Sequence, residues 1–239
     1  MSTAGMRLGK LVIILILLSG ALPAFAQREA LNMPEHDEKA YYFGITFGTN
    51  FSEYRLQYTA AFANTDTFKR VQPYWLPGFN LGLMGNLRLN KRFDLRFVPS
   101  LAFAEKRLYY QYGSMNNDSA VDRTIESIYM HLPVQLKFKS DRINNFRFYG
   151  LVGGKFDYDL AANARSRRND EILKVSPIDA GFELGVGFEF FNPNFIFSPE
   201  IKLSQGLVNQ LYKTSNIQLN NAIQDIHTRM IVISIHLEG

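Results

Sequence analysis

The sequence has no cysteine among its 239 residues, so neither a disulfide framework nor thiolate metal ligands are available to it. Tryptophan occurs once and histidine four times. Basic and acidic residues nearly balance, at 26 and 22, which leaves a formal net charge of +4. So small a charge gives no reason to expect a nucleic-acid partner.

Long apolar runs are also scarce. The run at residues 11–18 follows Arg7 and Lys10 and precedes the small-residue pattern Ala24-Phe25-Ala26. This arrangement predicts a cleaved secretory signal over residues 1–26, which is too short to span a membrane as a mature helix. No later run approaches the roughly 18 apolar residues that a transmembrane helix needs, so a membrane-spanning form would have to be a closed barrel.

Aromatic residues are plentiful, with 20 Phe and 12 Tyr, and many alternate with polar residues. In residues 178–190 one face is large and apolar, and the other is glycine and charge. A period of two predicts a strand. The alternation defines eight strands, at 41–51, 78–90, 93–110, 124–138, 146–160, 178–190, 195–203 and 228–237. The two-faced pattern suits a soluble sandwich as well as a membrane barrel with a polar interior.

The connections between these strands favour the barrel. Three are short, at 90–92, 139–145 and 192–194; four are long and polar, at 52–77, 111–123, 161–177 and 208–227. Long and short connections alternate without exception, as in outer-membrane barrels. The sequence therefore predicts an all-β fold, an eight-stranded antiparallel transmembrane β-barrel of the outer membrane over residues 41–239. Short turns and both termini would lie in the periplasm, long loops would face outward, and residues 27–40 would form a periplasmic N-terminal segment.

Aromatic residues cluster where the predicted strands end. Interfacial girdles of a membrane barrel have this composition, although aromatic residues are also simply good strand formers. The predicted girdle residues are Tyr41, Tyr42, Trp75, Tyr109, Tyr110, Tyr112, Phe191 and Phe195.

An eight-stranded barrel is only wide enough for its own side chains or for one small ligand. The predicted inward-facing charged residues are Arg88, Asp94, Arg96, Lys155, Asp157, Asp159, Glu183, Glu189, Glu200 and Lys202. Hairpins centred on Lys91 and between Asn192 and Pro193 would place Arg88 opposite Asp94, and Glu183 opposite Lys202. These pairs of opposite charge favour a salt-bridged plug over a polar conduit or ligand site.

Catalysis at the outer rim would need a nucleophile, a base and an orienting acid. Of the four histidines (His36, His131, His227 and His236) only His227 is predicted near that rim, with Asp225, Ser215 and Thr228 close in sequence. A lone loop histidine is usually solvated, and no spacing of three metal ligands is visible. We therefore expect no enzyme activity, no metal and no cofactor.

The basic run at residues 165–168 in the third long loop can contact anionic lipopolysaccharide, although clustered loop charge is usually only solvated. The predicted partners are outer-membrane lipid and lipopolysaccharide.

Four segments resemble the PorT family of Bacteroidetes outer-membrane proteins, which are associated with type IX secretion and with gliding motility. They are PGFNLGL at 77–83, LRLNKRFDLRFVPSLAFAEKRLYY at 87–110, RINNFRFYGLVGGKFDYDLA at 142–161 and FSPEIKLSQGLVN at 197–209. The end of the chain, Leu237-Glu238-Gly239, departs from the terminal aromatic residue usual in such barrels. The resemblance implies an accessory role in protein export, as opposed to that of the conducting pore, with other secretion-system proteins as partners.

A narrow, filled barrel would act through its periplasmic turns. The candidate docking turn consists of Arg142, Ile143, Asn144 and Asn145. The alternative hypothesis is a housekeeping barrel for envelope integrity or passage of small solutes.

Overall fold

The computed structural model describes residues 30–59, 68–112, 120–162, 175–211 and 223–239. In these ranges the chain forms a short 3-10 helix, Pro34–Glu38, and nine β-strands. The strands are β1 Tyr41–Tyr58, β2 Phe68–Arg88, β3 Phe93–Phe97, β4 Ser100–Tyr112, β5 Ala120–Lys139, β6 Phe146–Asp159, β7 Ile178–Phe191, β8 Ile196–Gly206 and β9 Ile223–Glu238. No described helix is long and apolar enough to cross a membrane.

All strands pair antiparallel with their neighbours, and β1 pairs with both β2 and β9, which closes the sheet into a ring. Both β3 and β4 lie between β2 and β5, so they are two halves of one barrel strand. The interruption is at Val98-Pro99, where proline has no N–H to donate to the ladder. The ring therefore contains eight barrel strands, as the sequence predicts.

The two ends of the barrel differ. At one end, which we call the turn end, the strands are joined by tight connections at residues 89–92, 140–145 and 192–195. The first residue of β1 and the last residue of β9 also lie there. At the other, the loop end, the connections run through residues 59–67, 113–119, 160–177 and 207–222. The alternation of short and long connections is thus confirmed.

Four of the strands extend at least four residues further toward the loop end than the sequence predicts. Residues 52–58 belong to β1 and residues 68–77 to β2, although both ranges were expected to lie in a loop. The same holds for residues 120–123 of β5 and 223–227 of β9. In these extensions the backbone pairing continues past the last of the large outward apolar residues, from which the strand ends were predicted.

Side chains alternate between the lumen and the outer wall along each strand. In β6 and β7 the outward residues Phe148, Val152, Phe182 and Val186 are exposed, whereas the intervening charged residues are buried. Such an apolar outer wall suits contact with lipid. The predicted signal at residues 1–26, the basic run at 165–168 and Ser215 lie outside the described residues.

Candidate functional site: the charged lumen and its turn end

The lumen is lined by charged residues of both signs from all parts of the ring. Buried basic residues are Arg96, Lys106, Lys137, Lys139, Arg147, Lys155 and Lys202; buried acidic residues are Asp94, Asp157, Asp159, Asp179, Glu183, Glu189, Glu200 and Glu238. Arg88 also points inward and is slightly more exposed. Buried charges are tolerated only when they are paired and hydrogen-bonded, so the pairing decides what this lumen can do.

Arg96 and Glu200 form the centre of the network. The Arg96 Nη2 atom lies 2.6 Å from the Glu200 Oε2 atom, and both side chains are almost fully buried. The Tyr149 hydroxyl donates to the same carboxylate at 2.8 Å. A side chain at Gly187 would collide with the Tyr149 ring, since a Cβ there would lie 2.4 Å from it. The inward glycine therefore makes room for the tyrosine that completes this pair.

A second network lies nearer the loop end. His131 sits between Asp157 and Glu183, with its Nε2 atom 3.2 Å from the Glu183 carboxylate. The Lys202 ammonium lies 3.1 Å from Glu183, and the Lys155 ammonium lies 2.6 Å from Asp157. Each of these carboxylates thus contacts more than one donor.

The predicted register of the β7–β8 hairpin is wrong by two residues. Glu183 lies across from Ser204, and Lys202 lies across from Gly185. The turn spans residues 192–195, closed by the Asn192 amide donating to the Phe195 carbonyl, so its centre falls one residue later than predicted. A shift of two keeps every side chain on its face, and Lys202 still reaches Glu183 diagonally. Arg88 lies directly across from Asp94, at the predicted register.

The turn-end layer of the lumen is centred on Asp94. Its carboxylate accepts hydrogen bonds from the Tyr42 hydroxyl at 2.8 Å and lies 2.7 Å from the Lys139 ammonium. Arg88 is 4.0 Å from the same carboxylate. Lys137 pairs with Glu189 at 2.5 Å. Tyr42 was predicted as a girdle residue, but it is buried here because its hydroxyl completes the Asp94 site.

The N-terminal segment, residues 32–40, covers the turn end of the lumen. Asp37 accepts two hydrogen bonds from the Arg147 guanidinium, at 2.8 and 2.9 Å. His36 is buried, with its ring 4.6 Å from that of Tyr42 and 6.1 Å from that of Phe191. Burial lowers the pKa of His36 to about 4, so the imidazole is neutral in this position at neutral pH. Phe191, a predicted girdle residue, is buried beneath this segment instead.

The candidate docking turn holds that same segment. Arg142 donates to the Asn145 side-chain oxygen at 2.9 Å, and its guanidinium lies 3.8 Å from the centre of the Phe191 ring. The Asn145 oxygen also accepts the Asn32 amide at 2.8 Å, and the Asn32 side chain donates to the Phe191 carbonyl. Asn144 has a left-handed backbone, with φ 54°, which asparagine tolerates well. Of the four residues, Ile143 and Asn144 are exposed, and the apolar side chain of Ile143 has 62% of its surface exposed.

The lumen changes character toward the loop end, where an apolar cluster fills it. We call this the apolar cap; it consists of Tyr54, Val71, Leu108, Tyr110, Leu211, Ile223 and Ile226. Lys106 lies below it, donating to the Tyr129 hydroxyl at 2.7 Å and facing the rings of Tyr54 and Tyr129. Tyr110 was predicted at the membrane interface, but its side chain packs inward. A wholly polar interior was therefore the wrong expectation for this end.

Sequence reasoning missed several lumen residues: Lys106, His131, Gln135, Lys137, Lys139, Arg147, Asp179 and Glu238. Most have the correct parity for the inward face, and the alternation in β5 and β6 was sufficient to find Lys137 and Arg147. Nothing local marks Asp37, which reaches Arg147 only because the chain folds back across the turn end.

The residues proposed around His227 do not converge. His227 points to the outer wall, across from Arg55, whereas Thr228 points into the lumen and donates to Asp179. Asp225 accepts a hydrogen bond from Asn209. Thr228 and His227 thus lie on opposite faces of the wall. In the described part of the chain, no three His, Cys, Asp or Glu side chains are grouped to hold a metal ion.

Among solved structures, OprG from Pseudomonas aeruginosa is similar at 12% identity and TM-score 0.42, covering 82% of this chain and 94% of its own. The N-terminal β-barrel domain of OprF from the same organism covers 84% and 98%, at 9% identity and TM-score 0.40. Ail of Yersinia pestis covers 84% and 100%, at 16% identity and TM-score 0.37. No curated protein matches the chain significantly.

The profile of one protein family, described as the outer membrane protein beta-barrel domain, matches residues 25–212. This range is more than half of the chain and includes β1 to β8. The closed ring of eight antiparallel strands, its apolar outer wall and its charged lumen agree with that description. The chain therefore belongs to the outer membrane protein beta-barrel domain family and is an outer-membrane β-barrel protein.

Proposed function

We propose that this barrel is a non-enzymatic accessory component of protein secretion across the outer membrane, acting through its turn end. The observation that carries the proposal is the filled lumen: ion pairs occupy its centre, the N-terminal segment covers one end and the apolar cap fills the other. A barrel filled in this way offers surfaces to partners in place of a passage for cargo. The resemblance to the PorT family supports secretion, including the type IX system, as the process served.

The proposal places the turn end in the periplasm, where other secretion-system proteins can reach it. The start of β1, the end of β9 and the three tight turns lie at that end. Bacterial outer-membrane barrels usually have this arrangement, with the short turns on the periplasmic side. The turns at 89–92 and 140–145 are adjacent, since the Lys139 amide donates to the Arg92 carbonyl and Arg92 lies 3.3 Å from Asp141. They present the exposed apolar side chains Leu89 and Ile143. Exposed apolar tips of this kind are suited to contact with a partner protein.

The test separates docking from attachment of the N-terminal segment. Replacing the whole turn would remove Arg142 and Asn145, which hold that segment, so we would change Ile143→Asp alone. Asn144→Gly is the matched control, because glycine keeps the left-handed backbone and leaves Ile143 in place. Barrel abundance and heat-modifiability on gels would be measured beside the culture-fluid and periplasmic proteomes, with a clean deletion strain as the reference.

We expect Ile143→Asp to leave a folded barrel while secreted proteins disappear from the culture fluid and accumulate in the periplasm, as in the deletion strain. The control is expected to secrete normally. Normal secretion in the deletion strain, together with increased sensitivity to detergent, would overturn the proposal in favour of a housekeeping role in envelope integrity. Normal secretion in Ile143→Asp alone would remove this turn as the docking surface.

A further inference from the structure

A groove on the outer wall at the loop end combines basic and apolar side chains. It encloses about 650 Å³ and is lined mainly by outward residues of β1, β8 and β9, with Trp75 and Phe182 at its sides. Its basic residues are Arg55, His227 and Arg229. This groove is separate from the lumen. The basic residues alternate along their strands with residues 54, 228 and 230, whose side chains point inward and are buried.

The basic side chains are held close together by the strand register. Arg55 lies directly across from His227 in the β1–β9 ladder, and Arg229 follows two residues later on the same face. Arg229 donates through Nε to the Gln205 side-chain oxygen at 3.2 Å. Gln205 itself donates to the carbonyls of Thr228 and Gly206, so its oxygen is turned toward the arginine. Arg229 is therefore positioned by a fixed partner.

Neither of the nearby carboxylates, Glu53 and Asp225, is among the residues that line the groove. Glu53 lies 3.7 Å from the Arg229 Nη1 atom, and Asp225 accepts a hydrogen bond from Asn209. Among the described residues, no carboxylate lies within ion-pair distance of Arg55, which is exposed. The Arg229 guanidinium thus has one close carboxylate and the Arg55 guanidinium has none, and both keep N–H groups that can donate to an anion.

The groove lies where the outer wall changes from apolar to polar. Along β9 the outward residues are apolar from Leu237 to Ile231, and Arg229 is the first charged one. Along β1, Phe51 is followed by Glu53 and Arg55. Of its apolar lining, Leu203 and Ile231 lie across from each other on the turn-end side of Arg229, and Phe182 lies across from Gln205, level with Arg229. Cations directly beyond an apolar wall match a lipid whose acyl chains lie on the wall and whose headgroup carries phosphate.

We propose that this groove binds the phosphorylated headgroup of the outer-leaflet glycolipid, the lipid A part of lipopolysaccharide. Arg55 and Arg229 contact its phosphate, and one acyl chain lies against Phe182, Leu203 and Ile231. The site is independent of the secretion role and rests only on the loop end facing outward. The basic run at residues 165–168 is not needed for it.

Native mass spectrometry of the full-length barrel in detergent tests the site, with added bisphosphorylated lipid A, its dephosphorylated form and phosphatidylglycerol as probes. The variant is Arg55→Ala with Arg229→Ala. The matched control is Arg107→Ala, an exposed outward arginine on β4 outside the groove. Heat-modifiability of every variant reports whether the barrel is folded.

We expect wild type and Arg107→Ala to retain lipid A equally, and the double variant to bind it about tenfold more weakly or worse. Dephosphorylated lipid A should bind to wild type as weakly as lipid A does to the double variant. Three results would overturn the site: an equal loss in Arg107→Ala, equal binding of phosphatidylglycerol, or unchanged lipid A binding by the folded double variant. Equal binding of phosphatidylglycerol would identify a general phospholipid contact.

Discussion

The two halves of the lumen are filled by opposite kinds of side chain, charged in one half and apolar in the other. In the turn-end half, charged residues face inward and large apolar residues face outward, as Arg96 and Leu95 show on neighbouring positions of β3. In the loop-end half, apolar residues face inward and polar residues face outward, as Leu108 and Arg107 show on β4. Strands β1 and β9 run through both halves, so there the change occurs within single strands.

This inversion follows from what lies outside the wall. Where the wall contacts lipid, its outer face must be apolar, and the remaining positions are left to polar residues that pair with one another. Where the strands project beyond the lipid, the outer face meets water, and the apolar residues can be buried inside as in a soluble barrel. Lys106, which faces two tyrosine rings, lies at the boundary between the two halves.

The halves should therefore fail differently when a side chain is removed. Removing one partner of a buried pair leaves an uncompensated charge, whereas truncating an apolar residue leaves a cavity. Glu200→Gln and Leu108→Ala break one half each, and a change of pH acts on the N-terminal segment that covers the turn-end half.

Glu200→Gln is expected to destabilise the barrel by about 3–5 kcal/mol, because the buried Arg96 guanidinium loses its carboxylate. Urea unfolding of the barrel in lipid vesicles would measure the free energy of unfolding. The double variant Arg96→Met with Glu200→Gln removes both charges and should recover most of that loss. If the double variant costs the sum of the two single changes, the ion pair does not account for the stability of this half.

Leu108→Ala is expected to cost about 2–4 kcal/mol, since Leu108 is completely buried in the apolar cap and its removal leaves a cavity. The same unfolding measurement applies. Leu101→Ala in the same strand is the control, because Leu101 is 41% exposed on the outer wall, where lipid can occupy the space. Equal losses for the two changes would show that the cap is not packed as a core.

The attachment of the N-terminal segment is expected to weaken as pH falls from 6.5 to 4. Burial lowers the pKa of His36 to about 4, below its ordinary 6.5, so the released segment binds a proton that the attached one does not. Attachment is then strongest above pH 6.5 and is lost progressively below it, by about 1–2 kcal/mol once partial solvation is allowed for. A spin label at Glu35→Cys would report release, since the chain has no cysteine of its own.

His36→Phe is the control for that titration. Phenylalanine keeps a ring against Tyr42 and Phe191 but has no proton to bind, so the label mobility should change much less between pH 6.5 and 4. The same pH dependence in both proteins would exclude His36 as its cause.

Much of the fold was predictable from periodicity, because the alternation of apolar and polar residues depends directly on what each face of a strand contacts. It identified all eight barrel strands and the inward face that carries Arg88, Asp94 and Arg96. It did not identify the loop-end extension of β1, where the alternation continues but the polar face has moved outward, or that of β2, where the ladder shifts register between Trp75 and Phe79. A rule that expects polar residues inside classifies such a stretch as loop.

The candidate docking turn shows a different failure. Its position at a tight turn between β5 and β6 was predictable from the short polar connection. That Arg142 and Asn145 would hold Asn32 was not, because these contacts join residues more than 100 positions apart. Of the four residues that the sequence offered to partners, Ile143 and Asn144 remain exposed, and Ile143 is the apolar one.

The sequence by itself determined the class of barrel, the number of strands, the face of the charged side chains in the turn-end half and the end at which the turns are short. These follow from local alternation and from connection length, which need no knowledge of distant residues. The tertiary structure alone decided the pairing of Lys202 with Glu183 across a shifted register, the burial of Tyr42 and Phe191 beneath the N-terminal segment, and the apolar cap. Those features depend on how the ring closes, since closure brings strands far apart in sequence around one narrow lumen.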